Sequence, residues 1–263
     1  MTAKEDSCMK EFRPARTPRI VGVIGGMGPL ATVDFMQQLV ELSPSLSDQE
    51  HIPAIVAQIP QIPDRVGAIL RATESPLPQL TESLRRLERA GADFIVMPCN
   101  TAHYWHKDLA AATDLPFIHI VDSVLEVLAE RGLKPDAPVG LLATPATFAA
   151  GIYANRPDNG SALQFVAPTE SEIQEFVIPA IGLVKAGRVQ DAGILIQECV
   201  HRLRARGLEY IVLGCTELPM ALKAVGVAIE DGYIDSTAAL AKAAIKAALP
   251  TPDLPQDPTL SHL

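Results

Sequence analysis

Short apolar runs rich in β-branched residues recur along the chain at residues 19–24, 51–58, 93–97, 116–121, 138–143 and 209–213, separated by longer stretches with helical spacing. The alternation predicts βαβ units, in which crossover helices cover both faces of a buried parallel sheet. Proline falls where a helix would open, at Pro29, Pro76 and Pro145. Its missing N–H had no helical partner there in any case. A further helical pattern over residues 189–206 carries Cys199 on what reads as its buried side.

The two halves of this pattern repeat one another. Val21-Gly22-Val23-Ile24 has a counterpart in Val139-Gly140-Leu141-Leu142, and the run from Phe94 through Cys99 to Thr101 has one in Tyr210 through Cys215 to Glu217. Ile120-Val121-Asp122-Ser123 echoes Tyr233-Ile234-Asp235-Ser236, and the three offsets are 118, 116 and 113 residues. The simplest fold is α/β, with two similar lobes related by a pseudo-twofold axis. Each lobe is a mainly parallel sheet flanked by helices, and the active site lies in the cleft between them. The expected first lobe is 19–121 plus 235–249, and the second is 122–234. A disordered polar tail is expected at 1–18 and a Pro-rich tail at 250–263.

Composition narrows the function classes. The 263 residues are 48% apolar and 20% charged, with a formal net charge of −9. A mildly acidic chain without a Lys/Arg-rich run lacks the basic field that nucleic acid requires. The N-terminal stretch has no apolar segment of a signal peptide, and no run approaches the length of a spanning helix, so neither membrane insertion nor export is expected. The cytoplasm is the expected compartment, and Cys8, Cys99, Cys199 and Cys215 read as reduced thiols.

Cys99 and Cys215 stand apart because each sits just past an apolar strand, beside Asn100 and Thr101 or Thr216 and Glu217. Ligands of open α/β sheets bind at such carboxyl ends. A following helix capped by threonine would draw the thiol pKa from about 8.5 toward neutrality. Two other constellations are weaker. Cys99, His103 and His106 lie close in sequence, but no spacing supplies further zinc ligands, so no metal is expected and the histidines read as hydrogen-bonding supports. Gly26-x-Gly28-x-x-Ala31 matches a dinucleotide fingerprint, yet the second strand ends Ala57-Gln58-Ile59-Pro60 with no acid for a ribose. The glycines then serve only to bring backbone amides near a small anion. Arg65 follows the second strand and suits a carboxylate, and Lys185 ends a helical segment.

Two thiols on opposite walls of a cleft for small anions suit a particular reaction, in which one removes the α-proton of an amino acid and the other delivers a proton to the opposite face. Amides and hydroxyls around Met27, Asn100, Thr101, Thr144, Thr147 and Thr216 would stabilise the carbanion through its carboxylate. No cofactor is demanded. The chain also resembles the aspartate/glutamate racemase family, the pyridoxal-phosphate-independent two-cysteine racemases, from Arg19 to about Ala248. The resemblance rests on Ile24-Gly25-Gly26-Met27-Gly28-Pro29, Gln61-Ile62-Pro63-Asp64-Arg65, Met97-Pro98-Cys99-Asn100-Thr101-Ala102-His103, Leu141-Leu142-Ala143-Thr144, Val184-Lys185-Ala186-Gly187 and Leu213-Gly214-Cys215-Thr216-Glu217. It implies Cys99 and Cys215 as the proton-transfer pair, Arg65 and Lys185 as contacts for substrate carboxylates, and a homodimer. The chain departs from the family pattern at Ala146 and Ala150, where a glycine and a serine are usual, so contacts to the substrate side chain are expected to differ. Aspartate is the first expectation for substrate and glutamate the second. A non-catalytic two-lobed binding module and a related dicarboxylate isomerase or decarboxylase are the alternatives.

Overall fold

The computed structural model describes residues 18–134, 136–156, 163–229 and 232–249. The tails expected at 1–18 and 250–263 fall outside these residues, apart from Pro18. The first half runs β1 (Val21–Gly25), α1 (Pro29–Glu41), β2 (Ala54–Gln58), α2 (Arg65–Arg71), α3 (Leu77–Arg89), β3 (Phe94–Val96), α4 (His106–Ala111) and α5 (Ile120–Glu130). The second runs β4 (Pro138–Leu142), α6 (Pro145–Ala149), β5 (Gln164–Val166), α7 (Glu170–Glu172), α8 (Ile178–Lys185), α9 (Val189–Ala205), β6 (Ile211–Leu213), α10 (Leu218–Ala224), β7 (Tyr233–Asp235) and α11 (Ser236–Ala248).

Every strand pair is parallel, in two sheets ordered β2-β1-β3 and β5-β4-β6-β7. The first sheet carries the trace of a fourth strand, because Phe117 makes a parallel bridge to Ile95 on the outer side of β3. With it the two orders coincide, β1 matching β4, β2 matching β5, and β3 matching β6. The strand expected over 116–121 is thus reduced to a single rung, Ile95 N–H to Pro116 O and Ile118 N–H to Ile95 O. The chain then turns into α5, whose first residue is Ile120 and whose cap is His119, the ring accepting from Val121 N–H. Asp235 caps α11 by accepting from Thr237 N–H. The structural partner of Asp235 is therefore His119, 116 residues earlier, rather than Asp122; this is the same offset that separates the two cysteines.

Alternation along the strands sorts side chains into distinct cores. Val21, Val23, Phe94 and Val96 share one cluster with Val139, Leu141 and Val212 and with the inner faces of α1, α5 and α11. Ile24, Ile95 and Met97 point the other way, onto α3, while Leu142, Ile211 and Leu213 face α8, α9 and α10. Helix α11 packs on α1 and α5, and Arg19 N–H bonds to Ala248 O, which ties the end of the second half to the start of β1. Cys199 is fully buried in α9, in keeping with its helical spacing. No helix among the described residues is long and apolar enough to cross a membrane.

Candidate active site

The loops after β1 and β3 and the loop into α2 meet those after β4 and β6 and the end of α8 around one narrow cavity of about 20 Å³. It opens into a wider mouth of about 460 Å³ beside the start of α1, with Asp64, Arg65, Lys185 and Glu217 shared between the two spaces. Cys99, Cys215, Met27, Asn100, Thr101, Thr144 and Thr216 complete the inner cavity, together with Asp64, Val66 and Ile181. Thr147 is the one expected residue outside that lining, and it bonds Thr101 and Thr144 from behind.

Local chemistry explains how these groups are held. The turn after β1 needs Gly26, whose φ is +96° and whose added Cβ would stand 2.4 Å from the backbone carbon of Ile59. The fingerprint-like glycine is therefore explained by one loop crossing another. Asp64 caps α2 by accepting from Gly67 N–H at 2.6 Å, which sets Arg65 as the first helical residue. The Arg65 guanidinium donates through Nη1 to Ile62 O and Pro63 O, and so is held at the cavity edge by its own loop.

The hydroxyls of Thr101, Thr144 and Thr147 form a closed triangle with sides of 2.9, 3.0 and 3.0 Å across the two halves of the chain. Thr144 also caps α6, but Thr101 and Thr216, the threonines expected to cap, do not: Thr101 belongs to the triangle, and the Thr216 hydroxyl donates to Glu217. Asn100 is a brace between halves. Its Oδ1 accepts from Tyr153 OH at 2.6 Å and its Nδ2 donates to Ser236 Oγ at 2.9 Å, which in turn donates to Leu213 O. His103 donates from Nδ1 to Cys99 O and accepts from Ile120 N–H at Nε2, so both ring nitrogens are engaged in supporting the Cys99 loop.

The thiols differ from expectation. Burial pushes Cys99 above its ordinary pKa, with the Arg65 guanidinium pulling against the rise and the Glu217 charge adding to it. Cys215 is pushed well above, first by burial and then by the charge of Glu217 and the hydrogen bond Glu217 accepts from it. The expected shift toward neutrality is overturned because desolvation by the closed cavity outweighs the short helical turn that follows each sulfur. Asp64, Val66 and Ile181 line the cavity without standing out in the sequence as site residues. Asp64 lies inside a family motif, where its capping position is the available signal; Ile181, on the apolar α8, carries none. Tyr153 and Ser236 support the site from sequence positions remote from Asn100.

Fold and cavity together define a two-lobed α/β protein with two thiols facing one polar space between like-ordered sheets. The chain belongs to the Asp/Glu/Hydantoin racemase family, whose model matches residues 24–244, and with it to the isomerases. Its fold is similar to that of the Picrophilus torridus aspartate racemase, with 34% identity, a TM-score of 0.76, and coverage of 88% of this chain and 94% of that one. In sequence it is 23% identical to the broad specificity amino-acid racemase RacX of Bacillus subtilis (strain 168) over 232 residues, 86% of this chain and 96% of the relative. It is 26% identical to a glutamate racemase of Deinococcus radiodurans over 231 residues, 84% and 72% of the two chains.

Proposed function

We propose that the protein is a cofactor-independent amino-acid racemase that inverts aspartate, and secondarily glutamate, by a two-base mechanism. The observation that carries this reading is the presence of Cys99 and Cys215 at corresponding carboxyl-end loops around one cavity, with Arg65 and Lys185 at its mouth. One sulfur takes the α-proton and the other returns a proton to the opposite face. The α-proton is far less acidic than a thiol, so the rate depends on stabilising charge at the carboxylate. The amides of the surrounding loops supply fixed donors in a narrow space that excludes most water, and the closed triangle of Thr101, Thr144 and Thr147 hydroxyls holds two of those loops together. Arg65 and Lys185 suit the two carboxylates of a dicarboxylic substrate. Ala146, buried in α6, and Ala150, just past its end, lie outside the cavity lining, so the departure from the family pattern acts on substrate choice only through the packing of α6, and neutral amino acids belong in the test. The lobes are taken as 19–121 with 235–249 and 122–234, and the working assembly as a cytoplasmic homodimer.

The test is solvent exchange. Purified protein without added pyridoxal phosphate, incubated in D₂O with either enantiomer of aspartate, glutamate or a neutral panel, should introduce deuterium at Cα, read by NMR. Exchange with no amino acid would instead support a binding module, and release of carbon dioxide would support a decarboxylase.

A further inference from the structure

The two thiols have equivalent backbone positions but unequal surroundings. The Cys215 thiol donates to Glu217 Oε2 at 3.0 Å, and the Thr216 hydroxyl donates to the same oxygen at 3.3 Å. Glu217 is only 5% exposed, and its Oε1 faces the opposite half of the chain, where a Cβ built on Gly28 would stand 3.7 Å away. At the matching place beside Cys99 the chain has Thr101, whose hydroxyl is engaged with Thr144 and Thr147. Among the groups that favour a thiolate at Cys99 the Arg65 cation comes first, followed by a hydrogen bond from the Ala102 backbone N–H, while the Glu217 charge acts against them. Of the two sulfurs, Cys215 is the one that donates directly to the Glu217 carboxylate, whose charge acts on both.

We propose that Glu217 is a positioning residue that holds Cys215 as the proton-bearing thiol, so that Cys99 begins a turnover as the base and Cys215 begins it as the acid. The assignment rests on the two-cysteine reading above and gives the pair a direction. The Cys99 thiolate takes the α-proton: a C–H bond breaks, an S–H bond forms, and the electron pair stays on Cα and its carboxylate. The Cys215 S–H bond then breaks and its proton forms the new C–H bond on the opposite face. Negative charge is left on the Cys215 sulfur beside Glu217, an unfavourable pairing of like charges. Once product leaves, water returns a proton to Cys215 and accepts one from Cys99, which restores the starting form. That form receives the enantiomer whose α-hydrogen faces Cys99.

The experiment reads the thiols directly, so it can fail while racemisation stands, or hold while racemisation fails. The full-length protein is alkylated with iodoacetamide over a pH series, and modification of the Cys99 and Cys215 peptides is followed separately by mass spectrometry. In the unsubstituted protein, Cys99 should show the lower pH midpoint. Glu217→Gln removes the carboxylate while keeping its shape and should lower the Cys215 midpoint by about 1–3 pH units, moving Cys99 less. A Cys215 midpoint at or below that of Cys99 in the unsubstituted protein would overturn the proposal. So would a folded Glu217→Gln variant in which Cys215 does not move. If that variant does not fold, the order of the two midpoints in the unsubstituted protein decides the matter.

Discussion

Acid should destabilise this protein through its buried histidines, and His103 allows the size of the effect to be worked out. Its ring is buried, donates from Nδ1 to Cys99 O and accepts from Ile120 N–H at Nε2. A second ring proton would aim a donor at a donor. Burial pushes its pKa from 6.5 down to about 3. The unfolded chain therefore takes up a proton as pH falls through the ordinary histidine value, whereas the folded chain does not until about pH 3. Stability contributed by the neutral ring is full above the unfolded pKa and declines as pH falls below it. Linkage gives a loss of about 2 kcal/mol for this histidine between about pH 7.5 and about pH 5. His119 and His106 are shifted in the same direction by burial. Asp235 opposes them: burial and the Asp34 charge push it up to about 6, so the folded form binds its proton first and gains stability as pH falls through that value. The contribution of His103 is isolated by comparison with His103→Gln in urea unfolding followed by circular dichroism. The variant is less stable at neutral pH, and the gap should narrow by about 2 kcal/mol at about pH 5. A gap that stays constant or widens with acid would be incompatible with a ring buried neutral, as would an NMR titration in which the native His103 ring gains its proton near pH 6.5.

Gly26→Ala should cost several kcal/mol or abolish folding, because the backbone is at φ +96° and the new Cβ would overlap Ile59; a thermal melt measures it, and near-native stability would contradict the crossing described for that turn. Tyr153→Phe leaves Asn100 Oδ1 without its 2.6 Å donor and should cost about 1–3 kcal/mol of stability by urea unfolding. Arg65→Lys should raise KM for a dicarboxylic substrate by roughly tenfold or more, since an ammonium cannot replace the forked geometry; an unchanged KM would remove Arg65 from substrate binding. Cys99→Ser and Cys215→Ser should each abolish net inversion, measured by chiral chromatography, and full activity in either would rule out the two-base assignment.

The repeated strand–cysteine pattern made much of the fold legible, because a buried parallel strand reads as a continuous apolar run, as β1, β3, β4 and β6 do; β2, at the sheet edge, is apolar in sequence but half-exposed. What misled was local. The stretch 116–121 is rich in β-branched residues, yet His119 caps a helix there, and histidine is an uncommon capping residue. Strand β5 has three residues, Gln164–Val166, with Gln164 exposed, too little alternation to stand out. Spacing along the chain puts the candidate site residues near strand ends, but does not report what surrounds each one. The direction of both thiol shifts depends on desolvation by segments more than a hundred residues apart, and the bracing of Asn100 by Ser236 spans 136 positions. A pattern within one segment is blind to such closure.

Whether two sulfurs act on opposite faces of one carbon can be decided by stopping the reaction of a single aspartate enantiomer in D₂O early, separating the enantiomers and measuring deuterium at Cα in each. Deuterium is expected in the product pool while recovered substrate keeps its original hydrogen, because each face is served by its own thiol. Equal deuterium in both pools from the first turnovers would show a single base serving both faces, and the two-thiol mechanism would then be wrong.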